Sequence, residues 1–249
     1  MYILAIETTG ASASVAVISE EGLMGVESSQ ERLNHLQNLM TMTQALLDKS
    51  KLAIGDITGL AVSTGPGSFT GIRIGVSTAR ALAQALEIGV MPVPTLKAFA
   101  YNVTGFKGIF CPIFDARREQ IYAGAFSWNE ERTEIQERVA GGAYSIQAYF
   151  DQLEQASACE EILFFGDGVD AYESWILAWM DQAEKRGIKA SLAPEEARYQ
   201  QASSVARLAL DLVLSKNEKM LDFEQVKPVY MRKAEAERKL EEGSLKCRT

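Results

Sequence analysis

Histidine is nearly absent from this sequence: its 249 residues include one, His35. That count excludes any mechanism or metal site built on two imidazoles. Cysteine is scarce as well. Cys111, Cys159 and Cys247 are odd in number and far apart, so they do not read as a disulfide framework, and a reducing cytosol fits them. No run of about 18 apolar residues occurs, so nothing is expected to span a membrane. An excess of basic charge is also missing. Lys and Arg number 25 against 33 Asp and Glu, a net −8, which argues against a stand-alone nucleic-acid binder. The opening Met1-Tyr2-Ile3-Leu4-Ala5-Ile6-Glu7 has no basic leader and no cleavage site, and reads as a buried strand. A soluble, cytoplasmic protein is expected.

What is present is ordinary globular material, 47 % apolar and 23 % charged, enough for one large domain or two modest ones. Residue periodicity predicts strands over 2–7, 12–19 and 23–29, a helix over 31–49, a strand over 57–63 and a helix over 68–86. A strand at 90–93 and a helical segment at 95–101 follow, then a polar, glycine-bearing linker over 102–108. The order then repeats. Strands are predicted over 109–114, 121–128 and 133–139, a helix over 145–155, a strand over 162–165, a helix over 169–185, a strand over 189–192 and a helix over 203–215. Both halves read strand-strand-strand-helix-strand-helix-strand-helix. Two similar α/β lobes over 1–105 and 106–226 are therefore expected, each a mixed sheet with flanking helices. The remaining 227–249 carries seven basic and four acidic residues. It reads first as a solvated, frayed terminal helix, and second as an arm for a partner's phosphates or acidic surface.

Two glycine-bearing turns could carry chemistry. Ile6-Glu7-Thr8-Thr9-Gly10 sets a carboxylate at a strand end before two hydroxyls, an arrangement that can face phosphate and magnesium, although a plain Thr-Gly turn has the same sequence. Ser63-Thr64-Gly65-Pro66-Gly67-Ser68 lies between a strand and a helix, where unpaired N–H groups can hold an anion. It lacks the Gly-Lys-Ser/Thr of a P-loop, and a tight turn needing glycine explains it equally well. In the following helix Gly71, Gly75, Ala79 and Ala83 recur every four residues. Such a face packs closely either on its own sheet or on another subunit's helix. Asp115-Ala116-Arg117-Arg118-Glu119 could bind an anion or form surface ion pairs, which are worth little. His35 reads as the polar flank of a helix, and Trp128, Trp175 and Trp179 as packing residues.

The stretch Ser63-Thr64-Gly65-Pro66-Gly67-Ser68-Phe69-Thr70-Gly71-Ile72-Arg73-Ile74-Gly75, with Ala79-Arg80-Ala81-Leu82-Ala83, makes a family recognisable. Together with Ile3-Leu4-Ala5-Ile6-Glu7-Thr8-Thr9, Asp115-Ala116-Arg117 and Pro228-Val229-Tyr230-Met231-Arg232, it resembles the TsaB (YeaZ) family over nearly the whole length. The resemblance implies a duplicated actin-like ATPase fold and a part in making threonylcarbamoyladenosine next to the tRNA anticodon. Its catalytic relative, TsaD, has a similar Gly-Pro-Gly segment and then a His-x-x-x-His metal pair. Those positions fall on Thr95 and Phe99 here, and neither replaces an imidazole. The implied role is a non-catalytic scaffold that binds and activates a TsaD-type subunit, with a TsaE-type ATPase joining and tRNA met only through the complex.

By the same resemblance the contact uses the 31–49 and 68–86 helices, with Leu36, Leu39, Met40, Gly71, Gly75, Ala79 and Ala83 as interface residues. Pairing of the chain with itself, as a homodimer when alone, is left open by the sequence. No metal and no cofactor are required; Glu7, Thr8, Thr9, Gly65 and Gly67 form a degenerate site for weak ATP or ADP binding. The sequence departs from the family's usual form at Glu7, where aspartate is usual, and at Asn34-His35-Leu36, where His-Ser-Glu is usual. The competing expectation is an ATP-dependent transferase or kinase-like enzyme using Glu7 and the two glycine loops. A metallopeptidase needs ligands the chain lacks.

Overall fold

The computed structural model describes residues 1–29, 35–157 and 160–232, with 35–37 as backbone alone. The predicted helix start at 31–34, the Leu36 side chain, Cys159 and the tail beyond 232 lie outside the described residues.

β1 (Tyr2–Glu7), β2 (Ser14–Ser19) and β3 (Gly22–Ser28) form an antiparallel meander. α1 (His35–Ser50) leads to β4 (Gly59–Gly65), parallel to β1, and α2 (Phe69–Leu86) leads to β5 (Val90–Pro94), parallel to β4. The sheet order is β3-β2-β1-β4-β5. β1 and β4 are buried along nearly their whole length because both sheet faces are covered there. α3 (Thr95–Ala98) and a 3-10 turn (Phe99–Tyr101) close this half.

β6 (Ile109–Asp115), β7 (Gln120–Trp128) and β8 (Ile135–Ser145) repeat the meander. α4 (Ile146–Ala156) leads to β9 (Ile162–Phe165), parallel to β6. α5 (Asp167–Ala171) and α6 (Glu173–Glu184) lead to β10 (Ala190–Leu192), parallel to β9. The second order, β10-β9-β6-β7-β8, is the first read from its other edge, with the same strand directions. This is the duplicated actin-like ATPase fold. α7 (Glu195–Arg198) and α8 (Ala202–Leu214) complete the chain of elements. No helix among the described residues is long and apolar enough to cross a membrane.

Chain order and packing part company at the ends of the halves. α1 and α2 cover one face of the first sheet, where Leu39, Leu46, Ile72 and Val76 meet Leu4, Ile6 and Val62. The other face is covered by α8, whose Val205, Ala206 and Ala209 pack on Ile3, Ala5 and Ala61. Residues beyond α8 also return to the first sheet: Val90 and Leu221 exchange backbone hydrogen bonds of 2.9 and 2.8 Å. The expected lobe boundary of 106–226 is thereby corrected, because 202–226 follow the second sheet in sequence and pack on the first. In exchange, Leu96 and Phe99 from the end of the first half pack on the second sheet's Phe110, Phe114 and Phe165.

Two predicted elements change. The helix expected over 169–185 breaks at Tyr172 (φ −123°), whose hydroxyl donates to Asp115 Oδ1 at 3.2 Å. No glycine or proline marks that break. β8 runs on to Ser145 through Gly141 and Gly142, an edge strand whose register shifts against β7 accommodate them.

Candidate functional site

Glu7 ends β1 in the middle of the first sheet and is 1 % exposed. Its Oε1 accepts from Thr9 N at 2.5 Å and from the Thr9 hydroxyl at 2.6 Å, and its Oε2 accepts from the Ser63 hydroxyl. Burial pushes its carboxyl above the ordinary range, and these donors pull partly back. The Thr8 hydroxyl donates to Gly71 O at 2.7 Å, and Ser68 N donates to Thr9 O at 2.8 Å. The β1–β2 turn is thus bolted onto the N-terminus of α2.

The expected phosphate residues therefore do come together, but as a packed joint. A Cβ on Gly67 (φ +151°) would sit 2.6 Å from Thr9 O, and one on Gly71 would sit 1.9 Å from Thr8 O. Gly10 lies under Gln200, whose Oε1 would be 2.8 Å from a Cβ there. Gly65 (φ +121°) lies under the C-terminal segment, 2.5 Å from Val229 O by the same measure. These glycines admit neighbouring protein atoms at close range, a packing that a side chain at any of them would obstruct.

The segment 227–232 is a strap, not a frayed helix. Val229 N donates to Thr64 O at 2.8 Å, and the Tyr230 ring stacks on Phe69 at 4.5 Å. Arg73 lies 4.0 Å from the Phe69 ring centre and donates through Nε to the Tyr230 hydroxyl at 2.9 Å. Arg232 donates to Ala116 O of the second half at 3.0 Å. Beside the strap a cavity of about 240 Å³ remains, lined by Thr64, Pro66, Leu96, Phe126, Gly141 and Met231.

α2 carries two stripes of small residues. Gly71, Gly75, Ala79 and Ala83 are buried against the chain's own sheet, with Thr8 and Val62 above Gly75. Leu39 is likewise core, 1 % exposed. The interface expected at these five residues is corrected: such close packing is already spent inside the lobe. Met40 is 49 % exposed and stays available. A second i, i+4 stripe, Ser77, Ala81 and Ala85, is exposed on the opposite side of α2, beside exposed Arg73 and Gln84. Sequence reasoning missed it because alanine marks a buried face and an exposed face alike.

The comparisons fit this architecture. The family model described as "TsaD: tRNA N6-adenosine threonylcarbamoyltransferase" matches residues 12–240. A curated relative, the tRNA threonylcarbamoyladenosine biosynthesis protein TsaB of Bacillus subtilis, is 29 % identical over 96 % of this chain and 97 % of its own. The protein of the same name from Escherichia coli is 28 % identical over 96 % of this chain and 98 % of its own. The chain belongs to this family, on its TsaB (YeaZ) branch. A solved structure, YeaZ from Pseudomonas aeruginosa, shares the fold with a TM-score of 0.66 at 23 % identity, covering 92 % of this chain and 99 % of that one.

Within this TsaB-family chain, Thr95 and Phe99 are each 1 % exposed. The Phe99 ring lies 5.6 Å from Phe114 and 5.5 Å from Phe165, and Thr95 Oγ1 has no hydrogen-bond partner among the described residues. The hairpin after β6 holds Arg117, Arg118 and Glu119 at positive φ (63°, 58° and 57°). Asp115 there accepts from Arg117 N at 2.8 Å and pairs with its guanidinium at 3.1 Å, which is 86 % exposed. Asp167, at the neighbouring strand end, is pushed above the usual carboxylate range, chiefly by burial and further by the Asp115 charge. No group of three or more metal-ligating side chains occurs among the described residues.

Proposed function

We propose that this chain is a non-catalytic subunit in tRNA threonylcarbamoyladenosine biosynthesis, a scaffold and activator that docks on a TsaD-type catalytic subunit. The observation that carries this reading is the packing at Thr95 and Phe99, where the family resemblance puts the catalytic relative's metal-binding histidines. A phenylalanine locked between two aromatic rings and a buried threonine leave that position with no ligand.

The docking surface in this reading is the outer side of α1 and α2: Met40 and Thr41 on one helix, Ser77, Ala81 and Ala85 on the other, all exposed. The small side chains of Ser77, Ala81 and Ala85 let a partner's helix approach closely. The same face serves self-pairing when the chain is alone. A TsaE-type ATPase joins the assembly, tRNA is reached only through it, and the work is cytoplasmic. The actin-like loops need no nucleotide in this role. The competing ATP-dependent transferase or kinase-like reading has against it the protein atoms packed over Gly10, Gly65 and Gly67.

Ala81→Trp should weaken binding to a TsaD-type subunit at least about tenfold, with the melting temperature held, because the position is exposed. Threonylcarbamoyl transfer to tRNA should require the catalytic subunit and be stimulated by this chain. Robust transfer by this chain alone, or unchanged affinity of the Ala81→Trp protein, would overturn the reading.

A further inference from the structure

A cavity of about 430 Å³ opens at the hinge between the halves, away from the loops discussed above. Its volume falls within the roughly 300–1,000 Å³ of small-molecule sites, and domain junctions are where such sites concentrate. Three parts of the fold build it. The 3-10 turn and the linker after it supply Tyr101 and Thr104, β7 and its turn supply Trp128 and Arg132, and α8 supplies Arg207 and Asp211.

The aromatic wall is fixed. Trp128 Nε1 donates to Ala100 O at 3.3 Å, and the Tyr101 ring stands edge-on to Trp128 at 5.1 Å and 85°. Arg132 lies 5.6 Å from the Trp128 ring centre and donates to Phe106 O at 3.0 Å. The α8 wall is electrostatically unbalanced. Arg207 and Asp211 are one helical turn apart, a spacing at which opposite charges ordinarily pair. No ion pair joins them among the described residues, and burial together with the nearby Asp211 charge raises the Tyr101 pKa. Arg207, half-buried, has no hydrogen bond or ion pair among the described residues. The cavity lining thus holds two guanidiniums against one carboxylate, and Arg207 is the guanidinium left without a protein acceptor among the described residues.

We propose that this hinge cavity binds a small organic anion with a planar aromatic body, its oxyanion on Arg207 and its ring against Trp128 and Tyr101. Guanidinium matches a carboxylate or phosphate in a planar fork, and an aromatic wall takes a flat ring edge-to-face or stacked. Because the lining comes from both halves and their linker, an occupant would tie the halves together.

Calorimetric titration of the full chain with indole-3-acetate and with AMP separates the two sources of such an anion. One or both should bind saturably with a dissociation constant of roughly 0.1–1 mM, and the neutral analogues indole and adenosine at least about tenfold more weakly. Arg207→Gln should cost at least about tenfold in affinity. Thr104→Trp, an exposed linker position, should block the cavity mouth while the melting temperature is held. Absence of saturable binding by both probes up to about 10 mM overturns the proposal. So does binding that survives both substitutions, since that ligand sits elsewhere.

Discussion

Glu7 is the residue at which the chemistry of this fold is most altered. A carboxylate at the end of a central strand is usually worth placing where it can meet solvent or metal, yet here three protein donors and full burial enclose it. Its folded pKa lies above the ordinary 4.5. The folded state therefore holds the proton at pH values where the unfolded chain has released it, and stability falls as pH rises from that ordinary value through the folded one. Urea denaturation of the wild type and Glu7→Gln between pH 4 and 8 should show the wild type losing stability relative to the variant across that window. A difference independent of pH would mean that Glu7 titrates alike in both states. The sequence showed an acid followed by hydroxyls and left open whether they met phosphate or each other. Only the approach of Ser63 from β4, distant in sequence, decides it.

At the scale of elements, α2 shows how far periodicity reads and where it stops. Ser68 caps the helix by accepting from Gly71 N at 3.2 Å, as a serine before an apolar-periodic run leads one to expect. The four-residue spacing of small side chains was visible too. Which stripe faces inward was not, because Gly71, Gly75, Ala79 and Ala83 differ little in chemistry from Ser77, Ala81 and Ala85. Thr8 decides it from the neighbouring turn. Gly71→Ala should destabilise the fold by about 2 kcal/mol or more, since a Cβ 1.9 Å from a backbone oxygen lies at the upper end of overpacking costs. Overpacking against the Thr8 carbonyl costs about 1–3 kcal/mol, and alanine's helix propensity returns up to ~1 kcal/mol. Ser77→Ala on the outer stripe should stay within about 0.5 kcal/mol, since Ser77 is exposed. Equal losses in thermal unfolding would remove the distinction between the two stripes. The break between α5 and α6 makes the same point: Tyr172 turns there to reach Asp115, a contact with no local signature.

For the whole molecule, the strap and α8 make the two halves one body. Asn102, in a stretch that reads as a plain linker, donates to Ala197 O and Tyr199 O at 2.7 and 2.8 Å and accepts from Ser204 at 2.6 Å. The strap then ties Thr64 and Phe69 of the first half to Ala116 of the second. Tyr230→Ala removes a stacked ring and an arginine contact and should cost about 1–2 kcal/mol. It should also speed amide hydrogen exchange at 64–73, with little change in the strands of the second sheet. Exchange unaltered at 64–73 would mean that the strap rests on the loop without holding it.

The sequence by itself determined the duplicated order of strands and helices, because alternation and helical spacing are local and each half states them separately. It also determined the shortage of imidazoles, since a count of one needs no coordinates. The tertiary structure alone decided which glycines admit the chain's own backbone, which face of α2 is free, and which sheet receives α8. Those outcomes depend on groups many residues apart arriving at the same place, and local patterns carry no record of that meeting.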